Sequence, residues 1–274
     1  MKRYELPDWQ WQRLVPLLPP ERPHTGRPNH CHRTILNGIL WILRTGAPWR
    51  DLPERYGVVG TVSSRFYRWR KAGVWARVLE TLPRPMRRAC STGTCTLWTP
   101  ASFAPISTPP VPAGPALSGG EALGRSRGGF STKIHVRAEG HGKPVTFHLT
   151  GGERHDSVAL PALLDAGAVR RKRGRPRLRP RRVAGDKAFA DRPSRQHLRA
   201  RRIRAVIPTK RYQRRTHSFD RAADRARNRV ERLFNRLKPF RRIATRYEKR
   251  AANYLAMLHL GAILIWLSLF ADTP

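Results

Sequence analysis

Residues 219–249 read FDRAADRARNRVERLFNRLKPFRRIATRYEK. Val230, Leu233, Phe234 and Leu237 recur at helical spacing and define a helix with one apolar stripe. Glu231 stands beside that stripe and is the lone carboxylate between Asp224 and Glu248. Arg227 lies one turn before it and Lys238 two turns after, so all three project from about the same side. One reading is a surface Glu/Arg pair, which is worth little. The other is a metal-binding carboxylate facing a phosphate backbone.

The segments before this helix alternate between strand and helix. Residues 130–140 (FSTKIHVRAEG) and 143–152 (KPVTFHLTGG) alternate like paired strands around a polar turn. Residues 157–167 form a helix ending at Gly167. Residues 181–186 (RRVAGD) form a short strand with an acid at its end, residues 194–202 a helix, and residues 203–208 (IRAVIP) a strand. Such alternation implies an α/β class, a mixed sheet with flanking helices. Function in such sheets sits at the carboxyl ends of strands, where Asp186 is placed. Asp186 and Glu231 brought to one sheet edge suit a hard cation, Mg²⁺ or Mn²⁺. The competing reading is a pair of structural carboxylates.

The N-terminal part is helical. Residues 7–18 form a short amphipathic helix, residues 33–44 a second with Ile35, Ile39, Ile42 and Leu43 inward, and residues 61–82 two more, broken at Gly73. Arg65, Arg68 and Arg70 alternate with aromatic residues there, which fits a small all-α domain of helix-turn-helix type touching DNA. A helical bundle with a solvated basic face is the alternative. The formal net charge of +37, from 55 Lys and Arg against 18 Asp and Glu, calls for a polyanionic partner, above all nucleic acid. The bases are spread over the whole chain, which argues against a membrane-surface role. The apolar run 254–271 is barely long enough to span a bilayer and reads as a buried terminal helix. Cys31, Cys90 and Cys95 are an odd number without zinc-site spacing, which suits a reducing, cytoplasmic setting.

Residues 84–120 break the pattern. No acid occurs between Glu80 and Glu121, and prolines crowd in. The composition is that of a linker.

On either side, the motifs are specific. ALGRSRGGFSTKIHVRAEG (122–140), GKPVTFHLTGGERHD (142–156), RPRRVAGDKAF (179–189), IRAVIPTKR (203–211) and the run from Arg227 to Leu264 resemble the DDE transposases of bacterial insertion sequences, in the group named after insertion sequence five. PDWQWQRLVPLLPP (7–20), residues 38–57 and FYRWRKAGVW (66–75) are similar to that group's helical DNA-binding region. The resemblance covers residues 1–83 and 121–274. It implies an RNase H-like fold carrying an Asp, Asp, Glu triad, with two Mg²⁺ (or Mn²⁺) ions. Asp186 matches the second Asp and Glu231 the Glu. Arg227 and Lys238 match phosphate-holding positions around the Glu, while the family's Tyr position is Asp224 here. The implied activity is cleavage and transfer of DNA strands at terminal inverted repeats. The implied partners are inverted-repeat and target DNA. The implied assembly is a homodimer or larger, in the bacterial cytoplasm at the nucleoid. A non-catalytic DNA-binding remnant is the alternative.

The family's first Asp belongs within residues 84–120, which hold no acid. The genetic code supplies a reason. Trp98-Thr99 is encoded TGG-ACN, and read one base earlier these bases contain GAC, an Asp codon. Residues 100–110, shifted alike, permit Ala-Ser-Val-Val-Arg-Ala-His-Gln-His-Ala-Ala, and Ser91 to Leu97 permit Asp-Trp-Asn-Leu-His. Residues from about 84 to 120 are therefore expected to be translated out of frame between two compensating frame changes. The first core strand is then expected to be lost and the missing Asp to belong near Thr99. The organisation expected is a helical DNA-binding domain (1–83), the irregular segment (84–120) and a catalytic domain with a C-terminal helix (121–274).

Overall fold

The computed structural model describes residues 4–21, 30–82, 95–97, 101–103, 121–126, 129–167, 179–213, 220–225 and 228–268. In chain order the first helices are α1 (Asp8–Leu14), α2 (His32–Thr45), α3 (Val59–Lys71) and α4 (Val74–Thr81). Five strands follow: β1 (Cys95–Leu97), β2 (Ala101–Phe103), β3 (Gly124–Ser126), β4 (Gly129–Ala138) and β5 (Pro144–Gly151). Next come α5 (Leu160–Asp165), β6 (Arg182–Ala184), α6 (Arg192–Ala200) and β7 (Arg204–Val206). The chain closes with α7 (Arg221–Arg225), α8 (Asn228–Leu237), α9 (Arg241–Ala244) and α10 (Ala251–Leu267). These elements fall into two compact units, residues 1–82 with 237–274, and residues 83–236.

The first unit is all helix. Ile35, Ile39, Ile42 and Leu43 of α2 are buried, as their spacing requires. Gly46 ends α2 at φ 73°, and its N–H bonds Ile42 O, a left-handed C-terminal stop. Gly73, at φ 68°, turns the chain between α3 and α4. Helix α10 packs on α2, α3, α4 and α9. It is apolar on nearly every face because it is enclosed on nearly every face. No described helix is long and apolar enough to cross a membrane. A buried ion pair secures the chain ahead of α10. Arg242 donates to Glu248 Oε1 from Nε (2.9 Å) and Nη2 (2.8 Å), and from Nη1 to the carbonyl of Ala47 at 3.0 Å. The sequence division carried residues 237–274 with the catalytic domain, whereas here they pack with the N-terminal helices. An apolar helix announces that it is buried, not against what.

The second unit is a mixed sheet. Strand β4 pairs antiparallel with β5 through residues 132–138, joined by a turn in which Glu139 Oε1 accepts from the N–H of His141 (2.9 Å) and of Lys143 (3.1 Å). β1 lies between β4 (antiparallel) and β6 (parallel), and β7 pairs parallel with β6. One apolar cluster gathers Leu160, Leu163 and Leu164 of α5, Val183 of β6, Phe189, Leu198 of α6 and Ile203. Buried Arg137 of β4 donates from Nη1 to the carbonyls of Ala166 (2.9 Å) and Gly167 (3.0 Å), meeting the unsatisfied carbonyl end of α5.

The expected loss of the first core strand is corrected. Residues 95–97 and 101–103, inside the segment read as out of frame, are both strands, and β2 pairs with β4 as β1 does. The pairs Leu97–Ala138 and Ala101–Ile134 keep one register against β4. The physical reason is that ladder bonds are made by backbone groups. Cys95-Thr96-Leu97 and Ala101-Ser102-Phe103 contain no proline and supply every donor. The rest of 84–120 lies outside the described residues.

Candidate active site

β6 delivers Asp186 to the sheet edge. Val183 and Ala184 are fully buried, and the Gly185 N–H bonds Val206 O at 3.2 Å, tying β6 to β7. The chain then turns into a 3-10 helix, Lys187–Phe189, with Asp186 as its N-cap. Asp186 Oδ1 accepts from the Ala188 N–H at 2.9 Å, which fixes a half-buried carboxylate beyond the carboxyl end of a parallel strand.

Glu231 sits on α8, exposed, next to buried Val230. The stripe read from sequence is the buried face: Val230, Leu233, Phe234 and Leu237 are all under a tenth exposed. The start of α8 is held to the β4–β5 turn, where Arg229 Nη1 donates to the Gly140 carbonyl. Gly142 of that turn has φ 79°, and a Cβ there would stand 2.8 Å from the Arg229 carbonyl oxygen. Only glycine fits this close approach.

Of the other expected site residues, Arg227 and Thr99 lie outside the described residues. Lys238 is exposed and follows the last residue of α8, so the helix does not carry it. Asp224 lies in α7. Among the described residues no three His, Cys, Asp or Glu side chains gather as metal ligands. The carboxyl ends of β1 and β6 lie side by side. β1 and β6 run parallel with Leu97 opposite Ala184.

The DNA-contact reading of Arg65 is corrected. Arg65 is 4% exposed, its Nη1 is 2.9 Å from His32 Nδ1, and its guanidinium lies 5.5 Å from the Trp69 ring centroid. Burial holds its pKa below the usual arginine value, with the Arg68 charge adding to the shift. On a helix, every third or fourth residue returns to the core, and Arg65 shares that face with Val62, Phe66 and Trp69. Arg70 is half-buried, while Arg68 is exposed. Sequence reading also missed buried His135 on β4. Its Nε2 is 2.8 Å from Thr150 Oγ1, and burial pushes its pKa down to about 4.

Residues 110–267 match the family model described as a transposase DDE domain. The chain belongs to that family. Residues 6–79 match a second model, a putative transposase of the IS4/5 family. Among curated proteins, the putative transposase for insertion sequence element IS402 of Burkholderia cepacia is 36% identical over 135 residues, 49% of this chain and 62% of the relative. An uncharacterized 16.2 kDa protein of the same element is 41% identical over 88 residues, 30% of this chain and 60% of its own. An uncharacterized protein, y4sN, of Sinorhizobium fredii is 39% identical over 79 residues, 29% of this chain and 63% of its own. The chain thus spans about three fifths of the length of each. The two family models leave residues 80–109 of the chain unmatched, the stretch that holds β1 and β2. The match to the transposase DDE domain begins at residue 110, inside the segment read as out of frame.

Proposed function

We propose that this chain is an insertion-sequence transposase that binds terminal inverted repeats and descends from a Mg²⁺-dependent enzyme of strand cleavage and transfer, the copy itself being defective. The sheet is the RNase H-like core, and the helical unit reads the repeats, with Arg68 and Arg70 as its contacts. The observation that carries the reading is the β1–β6 register. β1 ends at Leu97 beside Ala184, the last residue of β6, and Asp186 follows Ala184 by two residues in sequence as the shifted-frame Asp codon at 99 follows Leu97. In a triad of this kind the first two acids follow neighbouring strands, and the parallel pairing of β1 with β6 supports residue 99 as the position of the missing one.

Asp186 and Glu231 are hard oxygen donors of the kind a divalent cation takes. Such ions, when bound, acidify the attacking water and neutralise the leaving oxygen of a phosphodiester. Asp186, fixed by the Ala188 N–H, presents its charge at a set place, and Arg229 and the Gly140–Gly142 turn set the start of the Glu231 helix. Arg227 and Lys238 hold phosphates. Residues 171–182 (RKRGRPRLRPRR), of which 179–182 are described, add sequence-blind backbone attraction. The protein acts on DNA as a homodimer or larger at the nucleoid.

The test is cleavage of a supercoiled plasmid carrying the element's ends, with Mg²⁺. A chain with residues 84–120 replaced by the shifted-frame sequence is expected to exceed the present chain by roughly 10³-fold or more, the scale of losing one member of a catalytic unit. Equal rates in the two chains would refute the proposal.

A further inference from the structure

Beyond β7 the chain runs Ile207-Pro208-Thr209-Lys210-Arg211-Tyr212-Gln213. β7 is parallel to β6, so this segment leaves the sheet at the same edge as Asp186. It is built rigidly. Arg195 Nη2 donates to the Ile207 carbonyl at 3.1 Å. The Gln213 N–H donates to the Lys210 carbonyl (3.0 Å), and Gln213 Oε1 accepts from the Lys210 N–H (3.1 Å), closing the turn twice. Gln213 Nε2 donates to the Ala190 carbonyl at 2.7 Å. Ala190 ends the 3-10 helix that Asp186 begins, so one short helix ties the turn to the carboxylate.

On this held turn Tyr212 is 79% exposed, the most exposed large apolar side chain among the described residues. It contributes nothing to the core. Lys210 Nζ lies 6.0 Å from its ring centroid, and exposed Arg211 is its neighbour. An exposed aromatic ring on a basic turn is the pattern that takes single-stranded nucleic acid, with bases stacking on rings and phosphates meeting charge. A base inside a duplex has its faces covered by its neighbours, so only an unpaired base offers one.

We infer that Tyr212 is a stacking platform for an unpaired nucleobase of a DNA strand end, with Lys210 and Arg211 meeting the adjoining phosphates. This deepens the transposase reading and rests on it, because the strand end it holds is the one presented to the Asp186 edge. Tyr212 is exposed, so its substitution leaves folding intact.

The experiment uses the full chain and two probes, a blunt duplex and the same duplex with three unpaired terminal nucleotides, one of them 2-aminopurine. The wild-type chain is expected to favour the unpaired end by about tenfold, the scale of stacking one base, and to quench the fluorophore. Tyr212→Ala removes the preference and the quenching and leaves duplex binding and its salt dependence unchanged, while Tyr212→Trp keeps both. Lys210→Ala weakens both probes and lowers the salt slope by about one. Tyr212→Ala binding the unpaired end like wild type overturns the inference while the transposase reading stands. A wild-type chain that binds neither probe overturns both.

Discussion

Arg242 in the helical unit and Lys210 in the sheet unit carry the same charge to opposite uses. Arg242 turns inward, its side chain 8% exposed against a Glu248 side chain 5% exposed, and spends its hydrogen bonds on the protein. Arg65 does the same with His32. Lys210 and Arg211 stay on a turn at the sheet edge beside an exposed ring. The helical unit therefore depends on side-chain identity at its buried polar positions. The sheet unit leans on backbone pairing for its strands, with side-chain identity deciding its core cluster and its chemistry. Backbone pairing of this kind supplies β1 and β2 although their segment shows no strand period in sequence.

The largest expected effect falls on the buried pair. Glu248→Ala leaves Arg242 charged and unpartnered by a carboxylate, and is expected to cost about 3–5 kcal/mol in denaturant unfolding. The double variant Arg242→Met, Glu248→Leu is expected to recover most of that. A loss below about 1 kcal/mol for Glu248→Ala would break the contrast between the units.

Acid comes next and strikes the sheet unit. His135 is neutral when folded, because burial lowers its pKa from 6.5 to about 4, with the Asp156 charge opposing the shift. Its Nδ1 has no hydrogen-bond partner among the described residues. Below pH 6.5 the unfolded chain takes up a proton that the folded chain refuses, so this stability is whole above pH 6.5. It falls as pH drops toward 4, by about 3 kcal/mol in all. His135→Gln is expected to flatten that limb of the urea midpoint against pH. An unchanged limb would exclude His135 as its source.

Gly142→Ala is a finer probe of the turn that holds α8. The left-handed φ and the 2.8 Å approach to the Arg229 carbonyl predict a loss of about 1–3 kcal/mol, read by thermal unfolding. Unchanged stability would mean that α8 is not fixed by this turn. The smallest effect separates two neighbouring arginines. Arg68→Ala is expected to weaken DNA binding evenly and lower the salt slope by about one. Arg65→Ala is expected to lower stability and leave that slope alone. The reverse result would return Arg65 to the DNA surface.

Much of this was legible in the residues. The helices at 8–14, 32–45, 59–71 and 74–81 follow apolar periodicity, and the β4–β5 hairpin follows strict alternation around Gly140 and Gly142. Asp186 at a strand end and Glu231 beside a buried stripe were placed correctly. β1 and β2 were not legible, because ladder bonds are made by backbone groups and do not require an apolar pattern. The burial of Arg65 was hidden by its charge, although its spacing from Val62 and Trp69 held the signal. The partner of α10 was hidden because an all-apolar helix has no distinguishing face.

The frame itself can be read directly. Sequencing the gene from fresh DNA across codons 80–122 tests the central claim. The account predicts that the reading one base earlier is open throughout, and that after the Asp codon at position 99 it gives aliphatic residues at 102 and 103, Arg at 104 and His at 106. Position 104 could equally be Cys and position 106 Tyr, Asn or Asp, so the outcome is not guaranteed by the protein sequence. A stop codon in the shifted frame, or Cys and a non-His residue at those positions, would contradict it.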